Sequence, residues 1–131
     1  LNTAGAQSMS DRIGIRFIDI GPDYLTASMP VDERTHQPLG LLHGGASAAL
    51  IETLGSVGAT WSVGAEEYCV GVEINANHVR SARSGKVVGT AKPIHRGSRI
   101  HVWQVDIRSE DGKMVSTGRI TLAVMKRKAN P

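Results

Sequence analysis

The sequence predicts an α+β fold in which an antiparallel sheet curls around one long helix. Three observations carry this. From His43 to Val63 the only formally charged side chain is Glu52, in a run rich in Gly, Ala and Leu that reads as a buried helix. Before that run lie two short β-branched and aromatic stretches split by Gly21-Pro22-Asp23. After Glu66-Glu67 the chain changes to alternating apolar and polar residues and keeps that period almost to its end.

Taken in order, residues 1–10 are small and polar and do not open on Met, so they read as an expression scar or a trimmed native segment. Residues 14–19 and 24–31 form a hairpin, with Pro22 presetting φ in the turn. Residues 32–42 mix charge with Pro38 and Gly40, as an exposed loop does. The helix is expected to start near Gly44 and end near Gly64. Strands follow at 68–78, 86–95, 100–108 and 114–125, with turns at Arg96-Gly97-Ser98 and at Glu110-Asp111-Gly112, whose Asp-Gly pair favours a hairpin. Residues 1–131 read as a single domain with an N-terminal segment (1–10) and a basic tail (126–131).

Composition narrows the function classes. With 40% hydrophobic and 21% charged residues the chain has the balance of a soluble globular protein, and no apolar run approaches a membrane span of about 20 residues. Lys126-Arg127-Lys128 alone accounts for the net charge of +3, so that charge argues little for an anionic partner. Aromatic residues make up only 4%, too few for base-stacking platforms, and no duplex-reading motif is present, which argues against nucleic acid. A single cysteine, Cys69, forms no internal disulfide and fits a strand core. Together with the absence of a secretory pattern, this gives the expectation of a cytoplasmic protein.

The helix itself suggests chemistry. Gly44 and Gly45 lie at its N-terminus, where unpaired N–H groups and the positive end of the macrodipole collect, an arrangement suited to polarising a thioester carbonyl. Glu52 is a carboxylate in an apolar helix, either satisfied by backbone or by Ser56, or used. It lies roughly 12 Å along the axis from Gly44, too far for both to reach one carbon. Two antiparallel copies related by a twofold axis bring Glu52 of one level with Gly44 of the other, which predicts a homodimer with composite sites.

The pattern Gln37-x-x-Gly-Leu-Leu-His43-Gly-Gly-Ala-x-x-x-Leu-x-Glu52-x-x-Gly-Ser56 is followed by Val72-Glu-Ile-Asn-Ala-Asn-His78-Val-Arg80-Ser-Ala-Arg83 and by Lys92-Pro-x-His95-x-Gly97-Ser98-Arg99. Together these resemble the hotdog-fold acyl-CoA thioesterases of the 4-hydroxybenzoyl-CoA/phenylacetate-pathway type, over nearly the whole chain. The resemblance implies a hotdog fold, an antiparallel dimer with sites at its interface, usually a dimer of dimers, and no metal or cofactor. Leu1-Asn2-x-x-Gly resembles the end of the family's N-terminal helix, which favours a native segment.

By resemblance, Glu52 attacks the thioester carbonyl or activates water, Gly44 N–H polarises that carbonyl, Gln37 and His43 orient it, and Ser56 positions water or the acyl ring. His78 corresponds to a residue near an aromatic acyl group, with a structural histidine as the plain alternative. Arg80 and Arg83 on one side, and His95, Arg96, Gly97, Ser98 and Arg99 on the other, correspond to contacts with the phosphates of coenzyme A. Each arginine also fits an ordinary solvated position. The implied reaction is hydrolysis of an aromatic acyl-CoA, with 1,4-dihydroxy-2-naphthoyl-CoA the leading candidate. A non-catalytic acyl-CoA sensor on the same fold, which has no need of Glu52, and a thioesterase for carrier-protein-bound aryl thioesters are the alternatives. The helix pattern does not resemble that of a hotdog dehydratase.

Overall fold

The computed structural model describes residues 2, 3 and 5–128. Its elements are α1 (Met9–Arg12), β1 (Arg16–Gly21), β2 (Tyr24–Pro30), α2 (Gly44–Trp61), β3 (Glu67–His78), β4 (Lys86–Arg96), β5 (Ile100–Ser109) and β6 (Met114–Lys126). The six strands form one antiparallel sheet in the order β1-β2-β4-β5-β6-β3, so β1 and β3 are its edges. This is the predicted α+β architecture, with one added element. The short helix α1 begins in the small, polar N-terminal segment (1–10) and ends just after it. Its signal is Ser8-x-x-Asp11: Ser8 is the N-cap and its hydroxyl accepts from the Asp11 N–H at 3.3 Å. Of the basic tail, Lys126 ends β6, while 129–131, like Leu1 and Ala4, lie outside the described residues.

Helix α2 packs one face on the sheet. Ser47, Leu50, Ile51, Leu54, Gly55, Gly58 and Ala59 are buried, a spacing of three and four. Leu50, Ile51 and Leu54 are fully buried, each contributing roughly 1.5–3 kcal/mol by leaving water. Two glycines make the approach close. A Cβ on Gly55 would overlap Ile120, and one on Gly58 would meet the Trp103 ring at 2.8 Å. The helix stops at Trp61 rather than Gly64 because the chain turns back on it at Ser62: the Ser62 N–H donates to Ala59 O at 3.0 Å, the Val63 N–H to Thr60 O at 3.4 Å, and the Ser62 hydroxyl to Gly58 O at 2.8 Å.

The opposite face of α2 corrects the expectation of a helix buried all round. Ala48, Glu52, Thr53, Ser56, Val57 and Thr60 are only half-buried. The edge strand β3 is likewise open. Val72 is 59% exposed and Val70 40%, and no Pro or Lys within the strand guards the edge against pairing. Among the described residues, a helix face and the adjoining strand edge are therefore left open.

His101 shows how the core constrains titration. It is buried, and the Trp103 indole N–H donates to its Nδ1 at 3.2 Å, which puts the imidazole proton on Nε2. Burial, then the nearby Arg96 and His95, hold its pKa below the ordinary 6.5. The unfolded chain takes up a proton that the fold resists. Stability is therefore full above pH of about 6.5 and falls as pH drops below it, by at most about 1.4 kcal/mol per pH unit. In urea titrations between pH 7.5 and 5, His101→Gln is expected to remove part of the decline seen in the wild type; an unchanged decline would contradict this.

Candidate active site

The loop before α2 builds the first half of the site. Thr35 O accepts from the His43 N–H at 2.8 Å, and Ala82 O accepts from Leu42 N–H at 2.8 Å, so the loop is tied to the segment after β3. Gly40, at φ 78°, lets residues 37–41 close a tight turn, with Gln37 N–H donating to Leu41 O at 2.7 Å. Gln37 Oε1 accepts from the Leu39 and Leu41 N–H groups, which commits the oxygen and leaves the amide NH2 for another acceptor.

His43 is the N-cap of α2 and takes up the helix's free donors in turn. Its Nδ1 accepts from Gly45 N–H at 2.7 Å, and its carbonyl accepts from Ala46 N–H at 2.9 Å and Ser47 N–H at 3.3 Å. Of the four orphan donors at this end, Gly44 N–H alone has no acceptor among the described residues. It carries the positive end of the helix dipole. The capping role of His43 is absent from the sequence reading, because histidine is not among the preferred cap residues.

His78, at the end of β3, stands over Gly44. Its Nε2 lies 2.8 Å from where a Gly44 Cβ would be, and its Nδ1 pairs with the buried Ser116 hydroxyl at 2.7 Å. Gln37, Gly44, Ser47, His78, Arg80 and Ser116 line one cavity of about 350 Å3. One chain thus collects a helix-terminal N–H, an amide and an imidazole.

Glu52 lies elsewhere. Ser56, one turn on, donates to its Oε2 at 3.2 Å. The carboxylate rests against Gly71 in β3, where a Cβ would overlap Oε2. Gly71 borders the irregularity that breaks the β3–β6 register between Gly71 and Glu73. Sequence reasoning missed this residue, although a glycine inside an apolar strand run was the available signal. Beside Ser56, the open face of α2 (Thr53, Val57, Thr60, Trp61) forms with Phe17, Gly5 and Ser10 a cavity of about 330 Å3.

The basic residues fall into two distant groups within one chain. Arg80 and Arg83 line a hollow with Lys86 at the start of β4, while His95 to Arg99 occupy its far end and the turn into β5. At about 3.3 Å per residue, a strand the length of β4 separates them by about 30 Å. Arg96 is already engaged. Its guanidinium stacks 5.3 Å from the Trp103 ring centroid and donates to Pro22 O at 2.9 Å.

The helix-on-sheet architecture, with these groups on the helix and the adjoining strand, defines the class. Residues 39–116 match the thioesterase superfamily, and the chain belongs to it, as a hotdog-fold thioesterase. Among similar proteins is the 1,4-dihydroxy-2-naphthoyl-CoA hydrolase of Escherichia coli, 52% identical over 125 residues, covering 95% of this chain and 92% of that protein. The proofreading thioesterase EntH of Cronobacter turicensis is 44% identical, covering 95% and 91%. The crystal structure of a thioesterase from Haemophilus influenzae superposes with a TM-score of 0.96 at 44% identity, covering 98% of this chain and 90% of that one. No helix among the described residues is long and apolar enough to cross a membrane.

Proposed function

We propose that the protein hydrolyses an aromatic acyl-CoA, foremost 1,4-dihydroxy-2-naphthoyl-CoA, to the free acid and coenzyme A, at two composite sites of a homodimer. One observation carries this reading. Along α2, Glu52 rests on Gly71 while Gly44 rests on His78, both on the open edge strand β3. A twofold axis that sets Glu52 level with Gly44 of a second copy passes α2 near Ala48. The same axis meets β3 midway between Gly71 and His78, where it pairs residues 71–78 antiparallel with their own copy. Helix and strand ask for one axis, and that axis covers both surfaces left open in the single chain.

In this arrangement the thioester carbonyl accepts from Gly44 N–H, with the Gln37 amide and His43 nearby, and the acyl group enters the cavity beside Ser56 with His78 of the other copy at its mouth. Glu52 either takes a proton from water as hydroxide adds to the carbonyl carbon, or adds itself and is released by water. In both routes the negative charge develops on an oxygen held at the Gly44 N–H, and collapse breaks the C–S bond to release the CoA thiolate, which takes up a proton. The reaction so drawn uses no metal or cofactor. Pairing through β3 also brings the turn at 95–99 of one copy towards Arg80 and Arg83 of the other, which joins the two basic groups for the CoA phosphates. Two such dimers form the tetramer that the family resemblance implies.

The likeness to the 1,4-dihydroxy-2-naphthoyl-CoA hydrolase supports the choice of acyl group. A thiol-release assay over aryl-CoA and aliphatic acyl-CoA thioesters tests it. Release is expected with aryl thioesters and strongest with hydroxynaphthoyl-CoA; tight acyl-CoA binding with no release from any substrate would favour the sensor instead.

A further inference from the structure

The acyl cavity beside Ser56 has a wall that the catalytic groups do not supply. Its floor is α2, from Thr53 to Trp61, but Phe17, Gly5 and Ser10 form the opposite side. Gly5 and Ser10 belong to the N-terminal segment, and the fold holds that segment in place in a specific way. β1 is an edge strand, so the outward backbone of Phe17 has no neighbouring strand. Asn2 takes that place. Its Oδ1 accepts from the Phe17 N–H at 2.9 Å, and its Nδ2 donates to Phe17 O at 3.3 Å. A side-chain amide presents an acceptor and a donor side by side, so this one residue acts as a strand for one residue of β1.

Between Asn2 and Ile15, hydrogen bonds among the described residues fold the segment on itself. Ala6 N–H donates to Thr3 O at 3.1 Å, Ser8 N–H and the Ser8 hydroxyl donate to Gly5 O, and Ser10 O accepts from Ile15 N–H at 3.0 Å. The two anchors, Asn2 on Phe17 and Ser10 on Ile15, stand on either side of Gly5, which lines the cavity.

We propose that Asn2 is a positioning residue that pins the N-terminal segment across the acyl cavity, making the segment a specificity wall for the distal part of the acyl group. This rests on the reading of the cavity beside Ser56 as the acyl site. In this reading the first ring of the acyl group lies against Ser56 and Val57, the lining residues next to the Glu52 carboxylate, and a second fused ring is placed along α2 towards Thr60 and Trp61, under Gly5, Ser10 and Phe17.

The test compares benzoyl-CoA with 1-hydroxy-2-naphthoyl-CoA in wild type, Asn2→Ala and Asn2→Asp. For Asn2→Ala, which loses both hydrogen bonds, KM for the naphthoyl thioester is expected to rise about tenfold with kcat within about twofold, while benzoyl-CoA constants move less than about threefold. Asn2→Asp keeps the acceptor for Phe17 N–H and is expected to fall between. An equal shift for both substrates, or none for either, overturns the proposal. If wild type releases thiol from neither substrate, the hydrolase reading fails on its own, and calorimetric binding of the intact thioesters decides the wall. A roughly tenfold weaker affinity of Asn2→Ala for the naphthoyl thioester alone then supports it; unchanged affinity contradicts it.

Discussion

Gly44→Pro is expected to lower kcat on aryl-CoA thioesters by about 10²- to 10³-fold, the loss associated with one oxyanion-hole donor. Proline removes the single N–H that the cap leaves free and little else in the backbone. Gly44 is the first residue of α2, a position where proline is readily accepted, and His43 already has the extended conformation (φ −68°, ψ 132°) that a following proline requires. The complication is steric, since any Cβ here approaches the His78 ring at 2.8 Å. Gly44→Ala controls for that, because it adds the Cβ and keeps the N–H. The donor's contribution is the difference between the two variants; if they lose activity equally, the carbonyl is not polarised at Gly44.

Glu52→Ala and Glu52→Gln are each expected to lower kcat by about 10²-fold or more, through loss of the base or nucleophile. Glutamine keeps the size of the side chain and an oxygen for the Ser56 hydroxyl, so its effect reports charge and basicity rather than packing. A carboxylate held only for structure would behave otherwise, with turnover near wild type and a changed melting temperature. Near-wild-type release from several aryl-CoA thioesters by either variant would remove Glu52 from the chemistry.

The fold was legible because its signals are long. An almost uncharged helix and four alternating strands left little freedom, and all six predicted strands begin and end within two residues of the observed ones, as at β3 and β5. The helix end was overrun because Ser62 closes the helix through a side-chain bond to Gly58 O, a local contact that the apolar pattern running on to Val63 does not announce. The site was legible as a set of residues and not as a geometry. Gly44 and Glu52 stand out through residue type and spacing, whereas Gly71 matters only because Glu52 folds onto it across the sheet. Asn2 enters the sequence reading only through the likeness of Leu1-Asn2-x-x-Gly to the end of a helix, and it becomes an anchor only when β1 proves to be an edge.

The central claim is that each active site takes Glu52 from one copy and Gly44 from the other. Co-expressing Glu52→Ala with Gly44→Pro, each under a different affinity tag, tests it directly. In a mixed dimer one site carries both lesions and the other carries neither. Tandem-purified mixed dimers should therefore recover about half of the wild-type kcat per dimer, and an unselected mixture about a quarter. Activity no greater than that of the two parents would place Glu52 and Gly44 in the same chain's site and contradict the account.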